Sequence, residues 1–324
     1  DCLLSRGLGD VYKRQDPKFS MELYGVGRRS RSDVVICYIS DSVDKSVLKR
    51  MRKLIQSIDV DALTMNIESL AECMFTHKWI NPFPKFKYSE RPDTATAAIL
   101  DGNIVIMVDN SPAVMIIPAS IFDIIEEADD FNFSPIIGSY LRITRFFFSI
   151  VTWILTPLWL LFVNNPDWVP EFLKFILITD DITVPVLLQL LILELAVDGL
   201  KLAAVNTPTM LSTPLSIVAG IVVGEYAVSS GWFNPEALLY MAVVTVGTYG
   251  QTNFEMGYAF KFLRVLMLIL TQIFNLAGFI TGVVISVLMI AFNRTITGKS
   301  YIYPLIPWAV SYTHLRAHET RGNL

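Results

Sequence analysis

LELAVDGLKLAAV, residues 193–205, places Glu194, Asp198 and Lys201 inside a long apolar region. On a helix Glu194 and Asp198 are four residues apart and Lys201 is three further on, so the three charges share one face. At the centre of a membrane each charge costs about 2.5–3.5 kcal/mol, whereas each Leu, Ile or Val contributes about 0.3–0.6 kcal/mol. The 14 such residues within 182–205 would supply about 4–8 kcal/mol, comparable with the cost of the stripe. The helix is therefore expected to turn its stripe toward protein, water or the interface, and never toward bare lipid. Two readings stay open: the stripe lines an ion or substrate path, or Lys201 reaches the cytosolic surface and pairs with Asp198, fixing helix packing alone.

Outward from this stretch the chain stays apolar. It is 53% hydrophobic with a mean hydropathy of +0.49, and the excess lies after Arg145. Residues 146–163 carry no charge and approach the ~20 residues needed to cross a hydrocarbon core. Further candidate spans are 182–205, 211–228, 237–249, 262–274 and 278–292; the last two are short enough to form a helical hairpin that only partly crosses. Trp153 and Trp159 are placed near the interfaces. With a cytosolic amino-terminal domain and six crossings, Arg142, Arg145, Lys201, Lys261, Arg264, Arg294 and Lys299 fall inside or near the inner face and only Lys174 outside, as basic residues should. Asn206, Thr207, Pro208 and Pro214 end the charged helix, Glu225 adds an acid, and Gly220 with Gly224 allows close helix packing.

Both termini read as translated adapter DNA. DVYKRQ (residues 10–15) is encoded by the end of a transposase sequencing adapter, and its reverse complement in another frame gives VSYTHL (residues 310–315). Residues 1–15 and 310–324 are therefore set aside. This removes Cys2, His314, His318 and Gly7-Leu8-Gly9-Asp10, the one match to the GxGD of intramembrane aspartic proteases. Cys37 and Cys73 remain, with no disulfide framework.

Residues 16–140 read as a small soluble α/β domain and 141–309 as an all-α polytopic membrane domain of four to six transmembrane helices. In the former, 32–40 is a buried strand, and 42–58 a helix with Ser42 as its cap. Residues 67–75 form a second helix, 79–92 a connector, 103–109 and 113–118 two strands joined by a tight turn, and 119–128 a helix. Gly25-Val26-Gly27 resembles a phosphate loop but precedes RRSRS and no GK[ST] follows. Arg28, Arg29 and Arg31 suit an ordinary surface or an anionic partner, and His77 has no metal-ligand partner at recognised spacing. No HExxH or GxSG is present. No enzyme, cofactor, metal site or nucleic-acid partner is expected.

The stretch ERPDTATAAILDGNIVIMVDNSPAVMIIP (residues 90–118) followed by SYLRITRFFF, with GRRSRSDVVICYISD and IDVDAL before it, resembles the GerA family of spore germination proteins, A-subunit type. Residues 194–228 are most similar to the stage V sporulation branch of that family. The resemblance implies a multi-pass protein of the spore inner membrane, its soluble domain facing the cytoplasm. It implies other membrane subunits of a germination complex as partners, assembly as a homo-oligomer in the lipid bilayer, and part of an ion channel. The candidate intramembrane path is Glu194, Asp198, Lys201, Asn206 and Glu225. Lys201 stands where the family usually has Arg, Asp198 where it often has Glu, and Glu225 where Gln is common.

Overall fold

Apolar residues pointing to both sides build a sheet whose inner strands are covered on both faces. In a computed structural model describing residues 17–74, 81–127, 133–179, 183–206, 226–251, 253–293, 295, 301 and 302, the chain divides into two compact units. One comprises the residues up to Asp129 and those from Met289, the other Asp130–Leu288.

The first unit has the order β1 (Phe19–Val26), β2 (Ser32–Ile39), α1 (Lys45–Gln56), α2 (Ile67–Met74), β3 (Lys87–Ser89), α3 (Pro92–Leu100), β4 (Ile104–Val108), β5 (Val114–Ile117) and α4 (Ile121–Ile125). Its five strands lie in the order β1-β2-β4-β5-β3, every neighbour antiparallel. Successive side chains point to opposite faces. Val34, Ile36, Ile104, Ile106, Met115 and Ile117 meet Val47, Leu48 and Met51 of α1 and Leu70 of α2 on one side. Cys37, Val105, Val114 and Ile116 meet Ala95 and Ile99 of α3 on the other. This double cover explains why β4 and β5 are wholly apolar (IVIMV, VMII) and buried throughout.

The predicted strand at 32–40, the helix after it and the paired strands at 103–118 are present. The cap of α1 is Asp44, not Ser42, because the Asp44 carboxylate accepts the Ser46 amide at 2.9 Å. The helix expected over 119–128 is only Ile121–Ile125, opened by a capping box between Ser120 and Asp123. Gly25-Val26-Gly27 is no phosphate loop: Gly27, at φ +95°, turns β1 into β2, and the Arg28 and Arg29 amides donate to the Val60 and Asp61 carbonyls. His77 lies outside the described residues, as do 1–16 and 303–324, the set-aside ends among them.

The second unit is mostly helical. α5 (Pro135–Asn164) is followed by two 3-10 segments, Pro166–Trp168 and Glu171–Ile176, then α6 (Val186–Asn206), a helical turn at Ala227–Ser229, α7 (Pro235–Tyr249) and α8 (Phe254–Ala291). Within α8, Asn275 leaves helical geometry (φ 52°, ψ −129°) and the chain reverses. A Cβ on Gly282 would meet Met267 Cγ at 2.7 Å, and one on Gly278 would fall 1.8 Å from the Leu270 carbonyl oxygen. A straight helix would separate Met267 from Gly282 by about 22 Å. α8 is thus a hairpin with arms 254–274 and 276–291.

Only α5 and α8 among the described residues are long and apolar enough to cross a membrane by length and composition. The expectation of four to six is not met. α6 carries Glu194, Asp198 and Lys201, and α7 is 15 residues long. Candidate 211–228 falls almost wholly outside the described residues, with Gly220 and Gly224.

Candidate functional site

Four helices of the second unit, α5 to α8, converge here, and small or hydroxyl residues line their closest approach. Gly247 of α7 is one: a Cβ there would fall 2.5 Å from Thr152 Cγ2 of α5 and 3.2 Å from Phe148 Cδ1. With α7 held this close, Thr152 becomes a junction. Its hydroxyl donates to the Ser149 carbonyl at 2.9 Å and accepts from Gln251 Nε2 at 3.3 Å, while its own carbonyl accepts from Arg264 Nη1 at 2.5 Å.

Arg264, in the first arm of α8, also holds Glu194 of α6 through both carboxylate oxygens, Nε to Oε1 at 2.5 Å and Nη2 to Oε2 at 2.8 Å. Glu194 is 4% exposed and Arg264 3%. This is the paired-fork geometry in which guanidinium and carboxylate interact most strongly. One turn away Lys261 forms an ion pair with Asp198, donates to the Glu194 carbonyl at 3.1 Å and lies 3.7 Å from Glu194 Oε2. Lys201 rests over the rings of Tyr249 (5.2 Å) and Tyr258 (5.6 Å). Around these side chains lies a cavity of about 70 Å³, also lined by Thr245, Thr248 and Gln251.

Glu194, Asp198 and Lys201 are therefore brought together, as their spacing predicts. Asp198 pairs with Lys261 rather than with Lys201 as the packing alternative required. Asn206 is the last residue of α6, its side chain outside the described residues, and Glu225 lies outside them altogether. Lys261 and Arg264, read from sequence as cations at the inner face, are instead the acids' partners. The available signal was charge complementarity: a buried acid and a half-buried one call for cations, and the first arm of α8 offers two on one face.

The end at which α6 and α7 begin is built differently. Gln189 is buried and donates through Nε2 to the Val184 carbonyl and to Asn234 Oδ1, both at 2.7 Å, while Oε1 accepts the Asn234 amide at 2.9 Å. Asn165, after α5, and Asn275, at the hairpin tip, exchange amide hydrogen bonds of 2.6 and 2.9 Å. Trp159, expected near an interface, is buried against Tyr240, its indole donating to the Ile176 carbonyl at 2.7 Å, and Trp153 is buried as well. Of the exposed aromatics, Trp168, Phe172, Phe175 and Trp232 lie in the connections flanking these helices at this end.

The family described as Bacillus/Clostridium GerA spore germination protein matches residues 12–321. The chain belongs to the GerA family. It is similar to stage V sporulation protein AF of Bacillus subtilis (strain 168), 35% identical over 294 residues, which cover 91% of this chain and 59% of that protein. Spore germination protein GerLA of Bacillus cereus is 28% identical, covering 90% and 60%. The crystal structure of the N-terminal domain of the A subunit of the Bacillus megaterium spore germinant receptor GerK3 is 28% identical, covering 35% of this chain and 83% of that one, with a TM-score of 0.25. The chain spans about three fifths of the length of the first two relatives.

Proposed function

We propose that this GerA-family chain is a non-enzymatic membrane subunit of the spore germination machinery and contributes an ion path. It would act in the spore inner membrane as a homo-oligomer with other germination subunits, its sheet unit facing the cytoplasm. The observation that carries the reading is the cavity bounded by Glu194, Asp198, Lys201, Lys261 and Arg264 inside an apolar helical unit. Charged side chains at membrane depth mark pathways because their desolvation is otherwise uncompensated. Depth supports this. If the Asn165–Asn275 pair and the exposed aromatics mark one headgroup boundary, Arg264, eleven residues before Asn275, lies about 16 Å below it. That is near the middle of a ~30 Å hydrocarbon core. Lys201, seven residues beyond Glu194, lies about 10 Å nearer the opposite face.

A second reading, a non-conducting scaffold that assembles germination proteins, is favoured by one feature: Arg264 closes on both oxygens of Glu194. Reconstituting the complex in liposomes with Glu194→Gln and Asp198→Asn separates the two. Under the path reading, monovalent cation flux changes by at least about tenfold while the complex still assembles. Unaltered flux with assembly intact leaves the scaffold.

A further inference from the structure

The charges around the cavity do not balance. Two acids, Glu194 and Asp198, face three cations, Lys201, Lys261 and Arg264. Arg264 is committed to Glu194 and Lys261 to Asp198. Lys201 has no carboxylate within ion-pair distance among the described residues. Its ammonium lies over two tyrosine rings, whose faces attract a cation but carry no net charge. The hydroxyls of Thr245 and Thr248, which donate to the Met241 and Val244 carbonyls of their own helix, carry no charge. Among the described residues of this wall no carboxylate pairs with the third cation.

A half-buried ammonium beside two committed ion pairs is stabilised by whatever counter-charge can reach it. We infer that the cavity binds a small monovalent anion, a halide or the carboxylate of a small acid, against the Lys201 ammonium. The volume of about 70 Å³ admits an ion of a few heavy atoms and excludes a sugar acid. The anion completes the cluster, three positive charges against three negative, and so favours the closed arrangement of α6, α7 and the first arm of α8. The inference concerns the cavity of the proposed ion path, but it is read by binding, with no ion gradient, so the two stand or fall separately.

The test uses the whole chain in phosphatidylcholine nanodiscs, melted in increasing chloride, acetate or gluconate at matched ionic strength. Chloride and acetate should each raise the unfolding midpoint saturably, by about 2–4 °C, and gluconate should not. Lys201→Met should abolish the rise, and Lys201→Arg should keep it. Line broadening of ³⁵Cl by the unmodified chain, reversed by acetate, tests the same site should the methionine variant not fold. Equal responses to all three anions, an undiminished rise in Lys201→Met, absence of chloride broadening, or stabilisation seen only when anionic phospholipid is added would each overturn the inference.

Discussion

Arg264 touches α5 and α6 from a third helix, so changing it alone is costly in a definite way. Arg264→Met leaves the Glu194 carboxylate buried without its partner, which should lower stability by about 3–5 kcal/mol. Adding Glu194→Gln should restore at least half, since the buried charge is then gone; thermal unfolding of the singles and the double in detergent measures the coupling. A second residue-scale expectation belongs to the sheet unit. Glu22 on β1 accepts from Arg52, which grips both its oxygens, and from the Tyr24 and Tyr38 hydroxyls, each at 2.6 Å. The Arg52 guanidinium above all, then the tyrosines, hold Glu22 at about 2 against an ordinary 4.5, although burial opposes them. The folded value is the lower, so the stabilisation is complete above about pH 4.5 and fades as pH falls toward 2. Because the pair is partly solvated, Glu22→Gln should cost only about 1 kcal/mol at neutral pH and flatten the acid limb of a melting-temperature profile. Glu194, Asp198 and Lys201 were legible because a charge inside an apolar helix needs explaining. Lys261 and Arg264 were not, because a cation at the edge of a short apolar run fits a cytosolic loop equally well.

At the scale of elements α8 was legible in outline. Its apolar runs 262–274 and 278–292 suggested a helical hairpin with a break between them, but not that the reversal rests on Asn275, where a side-chain amide bonded to Asn165 replaces the usual glycine or proline. The glycines at 278 and 282 reveal it only once the chain is folded: each occupies a place where a Cβ would meet the opposite arm. Spin labels at Phe262 and Val287, both exposed, should lie within about 20 Å of one another if the arms pack side by side. A straight helix would set them about 37 Å apart, so pulsed electron resonance decides. In the sheet unit, α3 escaped the periodicity reading because PDTATAAIL has almost no apolar stripe; its fold comes from Pro92 at the first turn and from Ala95 and Ile99 meeting the sheet. Strand β1 escaped because one of its faces carries Glu22 and Tyr24 and is only half buried.

For the whole molecule, the unit containing the sheet is assembled from both sides of the helical one. Its late contribution is concrete. Tyr301 is fully buried, its hydroxyl donating to the Pro84 carbonyl at 2.6 Å, its ring near Phe83, its amide bonded to the Asn293 carbonyl and its carbonyl to the Ile121 amide. Tyr301→Ala should destabilise this unit by about 3–5 kcal/mol, and Tyr301→Phe, which loses only the hydroxyl bond, by about 1 kcal/mol; chemical denaturation followed by aromatic fluorescence compares them. Composition indicated an apolar second half from the start, but a contribution made by one tyrosine far along the chain leaves no local pattern.

The reversal at Asn275 also governs which flank of a bilayer each neighbouring stretch can reach. A segment that goes in and doubles back emerges beside its own entrance, so the chain entering the first arm at Phe254 and that leaving the second arm near Leu288 would share a compartment. A protease confined to one side of sealed vesicles should therefore nick both places or spare both.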